Sequence, residues 1–110
     1  MDSWQVEVLN ETVRAEIEAL PADIRARLTH ILDMMVEVGP ERMREPHVKH
    51  LKDKLWEMRM RGRDGIARAL YVTARGRRIV ILHAFVKKAQ KTPPQAIRLA
   101  LALARAKELE

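Results

Sequence analysis

Apolar and polar positions alternate along parts of this chain and recur at helical spacing along others, and the changes of period mark out its elements. From Trp4 to Asn10 the residues alternate, Val6 and Val8 on one side and Gln5, Glu7 and Leu9 on the other, which predicts a short strand. Asn10 is placed to cap a helix with apolar positions at Val13, Ile17 and Leu20. Pro21 can open a second helix. There Ile24, Leu28, Ile31, Met35 and Val38 form an amphipathic stripe that Gly39-Pro40 ends. Glu41 to Lys54 is polar and reads as a connecting loop with Pro46, His47 and His50.

Alternation returns in LWEMRM, Leu55 to Met60, with Trp56, Met58 and Met60 on one side and Leu55, Glu57 and Arg59 on the other. Asp64-Gly65 signals a hairpin turn into a strand from Ile66 to Thr73. A second turn around Gly76 leads to Ile79–Val86, apolar almost throughout, as a central strand buried on both faces would be. Thr92 and Gln95 match a capping box, with Pro93 at the first helical position. The helix they open carries Ile97, Leu101 and Ala104 on one face and Leu99, Leu103 and Ala106 on another. A helix so apolar implies burial or a partner.

The predicted order is β-α-α-β-β-β-α, an α+β fold in which a small antiparallel sheet carries two N-terminal helices and a C-terminal helix. With 110 residues, one domain over 1–110 is expected. The absence of cysteine excludes disulfides, thiolate metal sites and a cysteine nucleophile. No apolar run approaches the ~18 residues of a membrane span. The first residues carry an acid and no basic leader. A cytoplasmic protein with no membrane partner is expected.

Charge sharpens this picture. Residues 1–41 hold three arginines against nine acids, a net of −6, whereas residues 42–91 hold fifteen bases against four acids, a net of +11. Residues 92–110 add +1, giving +6 for the chain. A basic middle behind an acidic front points to a polyanion, with nucleic acid the first candidate and an acidic protein or anionic surface the others.

Enzyme motifs narrow the chemistry mainly by their absence. There is no glycine-rich phosphate loop and no HExxH. His47 and His50 would need further partners to hold zinc, and no metal or cofactor is expected. The scattered acids of the basic segment disfavour two-metal cleavage of a phosphodiester. RNA offers another route, attack by its own 2′-OH on the neighbouring phosphorus. The protein must then remove a proton, stabilise phosphoryl charge and protonate the leaving oxygen. Arginines suit the second task through bidentate contacts. A lysine suits proton transfer where nearby cations lower its pKa, and Lys87, Lys88 and Lys91 lie in such a setting. Composition and spacing leave an RNA-cleaving enzyme and a noncatalytic RNA-binding protein both open, and the apolar last helix with the acidic first helices allows a third reading, a protein-interaction module.

LWEMR (Leu55 to Arg59), a strand carrying Arg68, and IVILHAFVKKAQKTP (Ile79 to Pro93) together resemble the RelE/HigB toxins of bacterial type II toxin–antitoxin systems. The likeness is greatest to the phage-derived HigB-type branch, with its "LWELR" strand, arginine strand and "LLHGFxKKTxKTP" segment. It spans nearly the whole chain. It implies a RelE-like fold and a ribosome-dependent mRNA endoribonuclease that inhibits translation. The implied partners are mRNA on the ribosome, rRNA, and a co-encoded antitoxin that usually carries a helix-turn-helix domain.

By motif, Arg59, Arg68, Lys87 and Lys88 are the implied catalytic residues. Arg59 and Arg68 would hold the scissile phosphate, Lys87 or Lys88 would transfer the proton, and Glu57 would orient Arg59. Lys54, Arg61, Arg77, Arg78, Phe85 and Lys91 are expected to contact RNA. Ala67, Lys54 and Ala84 stand where the family often has an aromatic residue, a glycine and a glycine. The last residues, ARAKELE, lack the terminal catalytic tyrosine or histidine common in RelE-type toxins.

Overall fold

The three predicted strands between Leu55 and Val86 form the middle of a five-stranded sheet with helices on both faces. The computed structural model describes residues 3–87 and 91–109. The elements are β1 (Gln5–Val8), α1 (Glu11–Glu18), α2 (Ala22–Val38), a single 3-10 turn at Pro40–Arg42, β2 (Val48–Lys52), β3 (Leu55–Gly62), β4 (Gly65–Ala74), β5 (Arg78–Lys87) and α3 (Pro94–Ala106). In space the strands run β1-β5-β4-β3-β2. Helices and strands segregate as the α+β expectation requires, and the predicted order holds with one strand added.

Two features of the sheet differ from the expectation. First, β1 lies parallel to β5, Val6 opposite Ile79, so the sheet is mixed and not wholly antiparallel. Second, the segment read as a loop contains β2, which pairs antiparallel with β3. β2 is an edge strand of sequence VKHLK with Val48 buried and Lys49, His50 and Lys52 exposed. It shows little apolar alternation because much of it faces water.

Asn10 caps α1 as expected, its side-chain oxygen accepting from the Val13 N–H at 3.0 Å. Pro21 sits one position earlier than expected, as the residue preceding the first turn of α2. Ile24, Leu28, Ile31 and Met35 of the stripe are buried, while Val38 emerges beside Gly39, whose φ of 94° ends the helix. The β3–β4 hairpin is tied to the start of α2. The Arg63 N–H donates to the Asp23 carboxylate at 2.6 Å. That bond, the largest of several influences, holds the Asp23 carboxyl below its ordinary range. Gly62 permits the approach, since a Cβ there would lie 2.6 Å from both Asp23 Oδ2 and Ile24 Cγ1.

The two faces of the sheet carry separate apolar layers. Met58, Met60, Ala67, Ala69, Tyr71, Ile79, Ile81 and Ala84 belong to the layer containing the buried side chains of α1 and α2. Leu55, Leu70, Val72, Val80 and Leu82 pack with Ala96, Ala100, Leu101 and Ala104 of α3.

A bulge in β5 changes which residues face which layer. Tyr71 pairs with Ile81 but Leu70 pairs with His83, so Leu82 is extra. Beyond it Ala84 joins the α1/α2 layer, while Phe85 and Lys87 pair with Arg68 and Ile66 on the α3 side. Glu16 of α1 meets this strand just past the bulge: its carboxylate accepts from the Ala84 N–H at 3.0 Å and lies 3.1 Å from His83 Nδ1.

Candidate active site

At one end of the α3-side face, three adjacent strands bring polar side chains together. β3 supplies Glu57 and Arg59, β4 supplies Arg68, and β5 supplies Lys87. Arg59 pairs directly with Arg68, and Arg68 with Phe85. Residues directly opposite share a face and lie about 5 Å apart, so the register alone assembles the cluster.

Glu57 is its centre. It is 2% exposed, and its Oε2 lies 3.5 Å from both Arg59 Nε and Arg68 Nε. Its Oε1 accepts from the Thr92 hydroxyl. This is a correction to the capping-box reading. Thr92 makes no cap, α3 begins at Pro94 with Pro93 before it, and the hydroxyl is used by the carboxylate of a distant strand. Arg68 is 5% exposed and donates from Nη1 to the Ala67 carbonyl at 3.0 Å, while its buried Nε makes no hydrogen bond. At 3.5 Å the contact with Glu57 is electrostatic rather than a well-formed hydrogen bond.

The electrostatics follow from one anion among several cations. Burial lowers the Arg68 pKa, Glu57 opposes this, and Arg59 and Arg61 lower it further. Lys87, 5% exposed, is shifted the same way. Burial is the largest cause, followed by Arg68; Glu57 opposes, and Arg59 and Lys49 add to the lowering. An amine whose charged form is disfavoured in this way can lose and regain a proton nearer neutral pH than an exposed lysine.

A cleft of about 250 Å³ opens onto the cluster, bordered by Lys49, Glu57, Arg59, Lys87, Lys91 and Thr92. Lys49 and Thr92 are the members that motif reading missed. Lys49 lies on β2, the unexpected strand, opposite Glu57. Among the described residues, no group of three or more His, Cys, Asp or Glu is placed to hold a metal ion.

The other expected residues divide in two. Lys91 is on the rim of this cleft, Phe85 stands beside Arg68, and Arg61 lies further along β3 at the same end of the sheet. Lys88 lies outside the described residues. Lys54, Arg77 and Arg78 sit at the opposite end, in or beside the β2–β3 and β4–β5 turns. Lys87 lies nine residue steps along β5 from Arg78, about 30 Å of strand. There Arg78 pairs with Glu7 of β1 at 3.2 Å, and the Arg77 guanidinium lies 5.9 Å from the Trp4 ring centroid.

Residues 15–105 match the family described as phage derived protein Gp49-like (DUF891). The chain belongs to this Gp49-like family. The matched range includes α2, the entire β2–β5 sheet region and nearly all of α3, so it contains every member of the cluster. Among solved structures, the Gp49-like chain is similar to the archaeal RelE–RelB complex from Pyrococcus horikoshii OT3. The match has a TM-score of 0.56 and 22% identity over 78% of this chain and 96% of that one. The expected RelE-like fold is thus present, and the expected phage-derived branch agrees with the family that matches. No curated protein matches the chain. No helix among the described residues is long and apolar enough to cross a membrane.

Proposed function

We propose that this Gp49-like protein is the toxin of a toxin–antitoxin pair and that it cleaves mRNA on the ribosome by attack of the substrate's 2′-OH, halting translation. The observation that carries the reading is the convergence of Arg59, Arg68 and Lys87 from three neighbouring strands around the buried Glu57. Phosphodiester transfer needs charge stabilisation at the phosphoryl oxygens, and two adjacent guanidiniums at a cleft are suited to it. Glu57 restrains both arginines and is itself restrained by Thr92.

In this mechanism Arg59 and Arg68 hold the phosphate. The neutral amine of Lys87 takes the 2′-OH proton as that oxygen bonds to phosphorus. The bond to the 5′ oxygen breaks, leaving a cyclic phosphate and a 5′-OH. Lys91, on the rim of the cleft, is the donor assigned to the leaving oxygen, and Phe85 stacks on a base beside the phosphate. The protein works in the cytoplasm and is neutralised by a cognate antitoxin. One solved relative of the fold is a complex of two proteins, the archaeal RelE–RelB complex, which supports a protein partner.

The test is to induce the protein briefly in growing cells and map the 5′ ends of translated messages. New 5′-OH ends inside codons are expected. Their absence with RNA or ribosome binding retained would replace the nuclease with a noncatalytic binder.

A further inference from the structure

A second concavity adjoins the first; Arg59 and Arg68 line it, while its other residues have no role in the chemistry above. It is about 350 Å³ and is lined by Arg27, His47, Arg59, Arg61 and Arg68 over the apolar residues Pro46, Met60 and Ile66. Arg59 borders both concavities. Among the described residues no carboxylate lines this one, in contrast to the cleft around Glu57. Arg27 is one of three arginines in the acidic N-terminal segment. It lies on the exposed side of α2, three residues past Ile24, whose burial turns this helix toward the sheet. His47 is brought in because its carbonyl accepts from the Arg59 N–H at 2.8 Å, just before β2 begins.

We propose that this groove is a nucleotide subsite, in which Arg27 and Arg61 hold the phosphate next to the scissile one and Pro46 and Ile66 seat the attached ribose and base. The proposal rests on the cleavage reading only for the word scissile; the binding itself is separable from it. Arg59 and Arg61 lie two residues apart on one strand, so their Cα atoms are about 7 Å apart along β3, the scale of a single nucleotide step. The groove is larger than a phosphate needs, and its floor is apolar where a sugar and base would lie. Arg59 and Arg68 share the Glu57 carboxylate behind them, whereas Arg27 and Arg61 face the groove with no carboxylate among its described lining residues, an arrangement that favours an anion supplying several acceptor oxygens. A single-stranded RNA whose backbone passes from the Glu57 cleft over Arg59 into the groove meets this requirement with successive phosphates. The acidic character of the N-terminal segment makes Arg27 conspicuous: among the described residues, it is the member of that segment that lines this groove.

The probe is a 2′-O-methyl RNA of about nine nucleotides, which binds but cannot be cleaved by its own 2′ oxygen. Its affinity for the full chain is measured across a salt series. Arg27→Gln is expected to weaken binding about three- to tenfold. It is also expected to flatten the plot of log affinity against log salt by about 0.7, one phosphate contact on a single strand. Arg27→Lys is expected to keep most of the slope. A dinucleotide with one phosphate is expected to bind the wild type and Arg27→Gln equally.

Arg27 is exposed, and circular dichroism of the variants verifies that the fold is retained. Unchanged affinity and slope in Arg27→Gln would overturn the subsite, as would a wild type that does not bind the nonamer. An acidic peptide whose binding falls in Arg27→Gln while RNA binding does not would assign the groove to a protein partner instead. Loss of RNA affinity in Arg27→Gln together with no cleavage by the wild type would uphold the subsite and remove the nuclease reading.

Discussion

The two ends of the sheet use the same kind of residue to different ends. At the β3–β4 hairpin end, Arg59, Arg68 and Lys87 crowd around one carboxylate, and burial together with mutual repulsion lowers the pKa of Arg68 and Lys87. At the opposite end Arg78 has its own partner in Glu7, and Arg77 rests against Trp4. Both ends add to the same basic segment. A cation with its own partner at the surface is largely satisfied, whereas several cations sharing one buried anion retain capacity for another. Local balance of charge, more than net charge, separates a site from a solvated face.

The largest effect that would break this contrast is removal of its centre. Glu57→Ala leaves buried Arg68 without its anion and is expected to cost about 3–5 kcal/mol of stability, read by urea denaturation. A loss below ~1 kcal/mol would show that Glu57 does not hold the cluster together.

The proton-transfer assignment gives the next effect. Lys87→Ala is expected to slow cleavage about 10²–10⁴-fold. In the wild type the rate is expected to rise with pH through the lowered Lys87 pKa and to level off before the ordinary lysine value of 10.5. Lys49 is one of the cations that lowers that pKa, so Lys49→Gln is expected to move the rising limb to higher pH. A limb that stays in place, or moves down, contradicts the assignment.

Glu16 tests how the cluster is aligned. Without its carboxylate the Ala84 N–H loses an acceptor, at a cost of about 1–3 kcal/mol by thermal or urea unfolding. If this contact pins the bulge, Glu16→Ala also reduces cleavage at a temperature where the protein is fully folded. Unchanged cleavage there would mean that the strand register holds Lys87 without Glu16. At the opposite end, Glu7 and Arg78 are more than a third exposed, and Glu7→Gln is expected to change stability by only ~0–1 kcal/mol and cleavage not at all.

Much of the fold can be read in local pattern, because its signals are short-range. The stripe from Ile24 to Met35, the Asn10 cap and the alternation of β3 depend on neighbours within one helical turn or a few strand positions. The features that needed the structure are set by distant contacts. VKHLK reads as loop because an edge strand shows water much of its surface. The parallel pairing of β1 with β5 joins the first strand to the last. Thr92 matches a local capping pattern, yet its hydroxyl goes to Glu57.

The bulge is the clearest case for the candidate site. Ile79–Val86 is too uniformly apolar for alternation to reveal an extra residue, and that residue places Lys87 beside Arg68. Motif resemblance named Glu57, Arg59, Arg68 and Lys87 together. Arg27 and Lys49 carry no motif and reach the basic end only through α2 packing and the added strand.

The most direct measurement compares one buried and one partnered arginine under the same conditions. Cleavage of a translated message is followed with Arg68→Ala and Arg78→Ala, each checked for its folded state by circular dichroism. Arg68→Ala is expected to lower the rate about 10²–10³-fold while Arg78→Ala stays within about twofold of wild type. Equal losses in the two variants, or a loss confined to Arg78→Ala, would contradict the placement of the active site around Glu57.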